Sequence, residues 1–171
     1  VHERTVRTTN YAVDGTHLLC VGRFTDMRLV PTVNALGKSA GPGPLHDLEL
    51  RVLVRTPDLV IEDIEVDIVD VPFDDCRKLA RSLDGVKGLS LSRGFTAEVK
   101  RRAGGTGGCT HLVHLLTTMA PAILQGYWAS LDAEGGRSGN EYAASSAAFL
   151  KESCYAWRED GDAYARLSAL A

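Results

Sequence analysis

The spacing of apolar residues changes once along the chain, near Asp74, and this change constrains the fold more than any other feature. In "HDLELRVLVR" (46–55) and "LVIEDIEVDIVDV" (59–71), apolar and polar residues alternate. Alternation with a period of two is typical of half-buried strands, and the turn residues 56–58 between them predict an antiparallel hairpin. After Asp74 the apolar residues recur at intervals of three and four, which indicates helices.

The N-terminal third is also predicted to be β-structure. Segments 4–13 and 17–30 flank the turn pair Asp14-Gly15, and a Gly/Pro-rich loop follows at 34–45. We therefore expect an antiparallel sheet over roughly residues 4 to 70, covered on one face by the helices that follow it. That order of strands first and helices second defines the α+β class.

The helical part has a predicted boundary of its own. Helices are predicted over 74–83, 96–104 and 109–131, and Pro121 should kink the last of these or start a new turn. We expect one α+β domain over 1–130. A helical extension over 131–171, broken at "GGRSGN", should pack on that domain or on a partner subunit. Its small residues favour close packing, so a homo-oligomer through these helices is a prediction.

Composition excludes several classes of partner. The chain has 171 residues, a net charge of −3 and a pI of about 5.9, and lacks the basic face that nucleic-acid binding requires. No apolar stretch approaches the roughly 18 residues of a membrane span, and no secretory signal is recognised. We expect a cytoplasmic protein. The four cysteines form no CxxC pair and are predicted to be free thiols or metal ligands.

The stretch "GGTGGCTHLVHLL" (104–116) is the strongest candidate for a site. Four glycines precede Cys109, Thr110 is a good helix N-cap, and the motif lacks the Gly-Lys-Ser/Thr end of a phosphate-binding Walker A loop. The start of a helix favours a thiolate, so Cys109 is predicted to be the most reactive thiol. His111 and His114 share a helix face. His114 is either part of the site or packed at the edge of the apolar stripe.

Two further candidate site residues stand at the starts of predicted elements and are expected at the same end of the sheet. His46 opens a strand and Cys76 opens a helix, so both can meet Cys109 and His111 where these elements end. Two histidines and two cysteines suit one Zn²⁺ or Fe²⁺ ion. Asp47 or His114 is the predicted acid–base group. The acids at 63, 65 and 67 are read as a solvated sheet face, and Cys20 and Cys154, in apolar-periodic segments, as core.

The quoted segments carry a resemblance to a known family. "LHDLELRVLV", "IEDIEVDIV", "GLSLSRGF" and above all "GGTGGCTHLVHLL" resemble an uncharacterised bacterial family, number 2889 in the series of domains of unknown function, over about residues 5 to 130. The motif Gly-Cys-Thr-His-Leu is the most specific part of this resemblance. The family carries no established activity.

A more distant resemblance is to the NifU/IscU iron–sulfur scaffold proteins. The order of a His/Asp at a strand start, a hairpin, a Cys and then a Cys/His pair opening a long helix is similar to theirs. The resemblance implies a NifU/IscU-like fold with a site at His46 or Asp47, then Cys76, then Cys109 with His111. In this chain a His stands near the place of the scaffold's first cysteine, and the last pair reads Cys-x-His. A mononuclear metal or a reactive thiol is therefore expected rather than a cluster.

Three functions follow from these observations. The first is a metal-dependent lyase or hydrolase acting on a small organic substrate, with the loop 34–44 covering the site. The second is a non-enzymatic metal or sulfur carrier related to the iron–sulfur assembly proteins. The third is an interaction domain with no site.

Overall fold

A computed structural model describes residues 1–133 and 140–171. The chain divides into two compact units, Val1–Trp128 and Ala129–Ala171. The predicted break "GGRSGN" falls mostly outside the described residues. None of the helices within the described ranges is both long and apolar enough to cross a membrane.

The first unit is built on a four-stranded antiparallel sheet, as the alternating pattern predicts. The strands are β1 (His2–Asp14), β2 (His17–Arg28), β3 (Thr32–Val33), β4 (Ser39–Ala40), β5 (Gly43–Arg55) and β6 (Val60–Asp70). The strand order in the sheet is β1-β2-β5-β6, and β3 pairs with β4 in a separate short ribbon that includes part of the Gly/Pro-rich segment. The hairpin predicted over 46–55 and 59–71 is confirmed as β5 paired with β6.

One face of the sheet carries the core. In β5 the even-numbered residues from His46 to Val54 are buried, while the odd-numbered residues are partly exposed. The buried side chains of β2, β5 and β6 form one apolar cluster with side chains of the helices that follow. The sheet is thus covered by helices on one face, and the opposite face bears ion pairs such as Arg51 with Glu49 and Glu65. The α+β prediction is confirmed.

The helices of this unit are α1 (Phe95–Ala103) and α2 (Thr110–Ala133). α2 continues through Pro121 without a break and buries Leu112, Leu115 and Met119 among others. The segment after β6 differs from expectation, because Asp74–Arg81 is a 3-10 helix with no buried residue. Its apolar residues Cys76 and Leu79 are only half-buried, so little tertiary packing supports a full α-helix there.

Glycines allow two close approaches in this unit. A Cβ at Gly22 in β2 would overlap the side chain of Met119, so the bare backbone lets α2 lie close to the sheet. A Cβ at Gly108 would overlap the carbonyl oxygen of Ala103. The glycine run therefore makes the tight reversal from α1 into α2 sterically possible.

The second unit is helical. It contains α3 (Asn140–Leu150), a short 3-10 turn at Tyr155–Trp157 and α4 (Asp162–Ser168). Lys151 binds Glu159 at 2.5 Å and lies 6.0 Å from the ring centre of Tyr164. Cys154, expected in the core, is exposed, because it lies between helices rather than on an apolar helix face.

Candidate functional site

A buried acid lies at one end of the core face of the sheet. Asp26 is 1 % exposed and follows the apolar inward-facing residues of β2 at the same period of two. The strand register places Arg4 of β1 directly opposite it on one side and His46 of β5 on the other. The three side chains therefore form a line across three neighbouring strands.

Both oxygens of Asp26 are held by hydrogen bonds. Arg4 donates from Nε to Oδ1 at 2.7 Å and from Nη2 to Oδ2 at 2.9 Å. His2 Nε2 lies 3.2 Å from Oδ1, and His46 Nδ1 lies 3.0 Å from Oδ2. Burial by itself raises the pKa of Asp26, but the hydrogen bonds from Arg4 and His46 and their charges outweigh it, so the net shift is downward. Asp26 is thus a buried carboxylate.

The contact with Asp26 fixes the tautomer of His46. A carboxylate only accepts hydrogen bonds, so the proton of a neutral His46 lies on Nδ1 and its lone pair lies on Nε2. Burial, opposed by the hydrogen bond to Asp26, lowers the pKa of His46. The imidazole is 7 % exposed. His46 is therefore a buried, oriented imidazole.

α2 brings a second imidazole onto His46. The ring centres of His46 and His111 lie 3.8 Å apart, with 36° between the ring planes. Burial first, and then the neighbouring His46, lower the pKa of His111. Both rings lie beside Phe24, whose ring centre is 5.4 Å from that of His111 at a tilt of 51° and 6.4 Å from that of His46 at 69°. Neutral imidazoles in this setting are available as metal ligands or as bases.

Asp26, His46 and His111 form a compact donor set, which we call the Asp–His–His cluster. One ligand atom from each residue lies within 4.8 Å of those from the other two, and in the described part of the chain this is the one such group of three or more. Two imidazoles and one carboxylate are a common donor set for Zn²⁺ in hydrolases and for Fe²⁺ in non-haem oxygenases. The chemistry of the set fits either ion.

Cys109 adjoins the cluster through His111. Its Sγ lies 3.9 Å from His111 Nδ1, and its carbonyl oxygen accepts the backbone N–H of Val113. Cys109 therefore stands at the first turn of α2, which begins at Thr110. The thiol is half-buried, and His111 is placed to accept its proton.

The other predicted site residues lie in different surroundings. Asp47 belongs to the opposite sheet face, where Arg23 binds it through two hydrogen bonds of 2.9 and 2.6 Å. His114 is exposed, and its ring meets Phe24 edge-on at 6.1 Å. Cys76 is half-buried in the 3-10 helix 74–81 and is not part of the Asp–His–His cluster.

Sequence reasoning identified His46 and His111 but missed Asp26 and Arg4. A usable signal was present, since Asp26 takes the next inward position after Leu18, Cys20, Gly22 and Phe24. An acid at a core-facing position of a strand must be paired or bind a cation. Arg4 was hidden because its role depends on the β1–β2 register, which the sequence alone does not fix.

Comparison with known proteins gives a family and no activity. The family described as "Protein of unknown function (DUF2889)" matches residues 2–125, a span that contains the sheet, the Asp–His–His cluster and Cys109. No curated protein and no solved structure matches the chain.

Proposed function

Because the chain belongs to this family of unknown function, the site itself must indicate the activity, and we propose that the protein is a metal-dependent enzyme acting on a small organic substrate. One Zn²⁺ or Fe²⁺ ion is held by Asp26, His46 and His111, and the reaction is of the lyase or hydrolase type. The observation that carries the proposal is the 4.8 Å grouping of three buried or half-buried donor atoms.

The spacing within the cluster supports a cation. His46 Nδ1 and Asp26 Oδ2 lie 3.0 Å apart across a shared proton. Ligand atoms bonded at about 2.0–2.2 Å to one ion stand about 3 Å or slightly more from each other. In the metal-free chain a proton on Nδ1 joins these two atoms at the separation that a metal ion requires. Binding of the ion through Nδ1 would leave the imidazole proton on Nε2.

Residues around the cluster supply the support that metal sites need. Arg4 holds the Asp26 carboxylate in one orientation, as outer-shell partners of metal ligands do. Phe24 is fully buried and its ring contacts both imidazoles, which limits their rotation. When bound, the metal ion supplies a Lewis acid that polarises a substrate carbonyl or a water molecule.

Two nearby groups suit the proton transfers of such a reaction. His114 lies one turn beyond His111 and is exposed, so it is the proposed acid–base group. Asp47 is paired with Arg23 on the other sheet face, which makes it the weaker candidate for this role. Cys109 as a further ligand or as a nucleophile, and Cys76 as a ligand, stay predictions.

The second candidate is a metal or sulfur carrier of the NifU/IscU type. The contact of Cys109 with His111 favours it, because a thiol beside a base is suited to accepting sulfur or a metal ion. A NifU/IscU-like fold, a homo-oligomer through the C-terminal helices and a cytoplasmic location likewise stay predictions.

Anion binding to the Co²⁺-substituted protein distinguishes the enzyme from the carrier. Catalytic metal sites keep one position open, whereas closed sites have all positions filled by protein ligands. We expect azide to change the visible absorption of the cobalt protein saturably, and to do so equally in the control Asp47→Asn. Cobalt binding with a spectrum insensitive to azide would favour the carrier.

A further inference from the structure

A second arginine lies beside the Asp–His–His cluster. Arg28 follows Asp26 by two residues in β2, so the two side chains share the core face of the sheet, with Cα atoms about 7 Å apart. His2 is its register partner in β1 and Gly43 its partner in β5. Arg28 thus adjoins the candidate metal site on the same face.

No carboxylate of the residues that the structure describes neutralises Arg28. Its Nη2 donates to the carbonyl oxygen of Pro44 at 3.0 Å. Its Nε is buried and has no hydrogen-bond partner, the one cationic group among such atoms in the described chain. By contrast, Arg4 and Arg23 each bind an aspartate through two nitrogens. A buried guanidinium N–H without a partner costs free energy, which an acceptor would recover once the Arg28 side chain turns to present this N–H.

Open space lies at the register partner of this arginine. Gly43 has no side chain, and a Cβ built there would have no atom within 4 Å. The acid on this part of the face is Asp26, and Arg4 pairs with it. Arg28 thus adds a positive charge that Asp26 does not balance, and the local charge is suited to an anion.

We infer that Arg28 binds the oxyanion group, carboxylate or phosphate, of a small anionic substrate whose reacting part lies at the Asp–His–His cluster. This inference rests on the proposed function for the second half of that statement. The planar guanidinium pairs with an oxyanion through parallel N–H donors. Arg28 then selects an organic acid or a phosphate ester over neutral molecules.

The Nε–H resonance of Arg28 reports binding directly by ¹H–¹⁵N NMR. The full chain is titrated with acetate and, separately, with inorganic phosphate, against sodium chloride at equal ionic strength, in metal-free and zinc-loaded protein. Arg28→Gln assigns the resonance. We expect a saturable shift with one or both anions in the wild type. Calorimetric titration with the same anions, which does not need the Arg28 resonance, should show an affinity roughly 10- to 100-fold lower in Arg28→Gln. Arg23→Gln, on the other face, should bind as the wild type does.

The outcomes separate this inference from the proposed function. No saturable shift with either anion in either form, or equal binding by Arg28→Gln, overturns the inference. Normal zinc binding by Arg28→Gln shows that the metal site stands regardless. If an anion binds at Arg28 but the protein binds no metal, the anion site is supported and the proposed metal chemistry is overturned. The stronger of the two anions identifies the substrate as a carboxylate or a phosphate.

Discussion

The imidazole rings of His46 and His111 lie 3.8 Å apart, one on a central strand and the other in the first turn of the long helix. This contact joins sheet to helix at the end of the core where Asp26 is buried. Burial lowers the pKa of each ring, so two uncharged imidazoles lie against each other beside Phe24. The proposed metal site depends on this pair.

Removing the charge of Asp26 should destabilise the fold. Asp26→Asn loses the two-point ion pair with Arg4 and places an amide against the donor Nδ1 of His46. We expect a loss of about 1–3 kcal/mol in the free energy of unfolding by urea. Asp47→Asn, the matched control in an exposed pair, should lose under about 1 kcal/mol. Equal losses in the two variants would contradict a special role for the buried carboxylate.

Gly108 should not tolerate a side chain. Gly108→Ala sets a Cβ against the carbonyl oxygen of Ala103, so the α1–α2 connection must move. The expected loss is roughly 1–3 kcal/mol of unfolding free energy. Gly107→Ala is the matched control, because a Cβ there meets no atom within 4 Å. Thermal or urea unfolding measures both, and a Gly108→Ala protein as stable as Gly107→Ala would show that the tight connection is misplaced.

Stability should depend on the protonation of His17. Hydrogen bonds to Asp14 and Glu62 raise its pKa above the ordinary value of 6.5. The stabilisation is therefore fully present below about pH 6.5 and is lost as the pH rises through the raised folded-state value. We expect the wild type to exceed His17→Gln in urea midpoint at pH 5.5 and the gap to close at alkaline pH. The same difference in urea midpoint should be smaller in a Glu62→Gln background. A difference that grows as the pH rises would contradict a raised pKa of His17.

The four thiols should react in an order set by burial and neighbours. Burial raises the pKa of Cys20 to about 12, so this thiol should be alkylated last. Cys109, at the helix start with His111 beside it, should be alkylated first in metal-free protein. Limiting iodoacetamide at neutral pH followed by peptide mass spectrometry gives the order. Earlier labelling of the exposed Cys154 than of Cys109 would show that exposure outweighs the local base.

The sheet could be predicted because apolar and polar residues alternate along each strand, a signal that needs no information from the rest of the chain. The hairpin of β5 and β6 and the helical cover are visible in residues 46–71 and 109–123 without tertiary information. The 3-10 form of 74–81 was not predictable in this way, since its acids and spacing also suit an α-helix.

The site was predicted only in part because it is assembled across the sheet. His46 and His111 stand at element starts that the sequence marks. Asp26 lies inside a strand. Its pairing with Arg4, 22 residues earlier in the chain, depends on the register between β1 and β2. Asp47 directly follows His46 in the sequence. Because side chains alternate between the two faces of a strand, Asp47 lies on the face of β5 opposite to His46.

Zinc binding to the purified, metal-free chain decides whether Asp26, His46 and His111 hold an ion. Calorimetric titration with Zn²⁺, repeated with Fe²⁺ without oxygen, should give one ion per chain for the wild type and for His114→Gln, a histidine outside the cluster. His46→Gln and His111→Gln, shown to be folded by circular dichroism, should bind at least about 100-fold more weakly, since loss of an outer-shell partner alone costs 10- to 100-fold. A wild-type chain that binds neither ion, or a His111→Gln chain that binds as tightly as the wild type, would contradict the metal site.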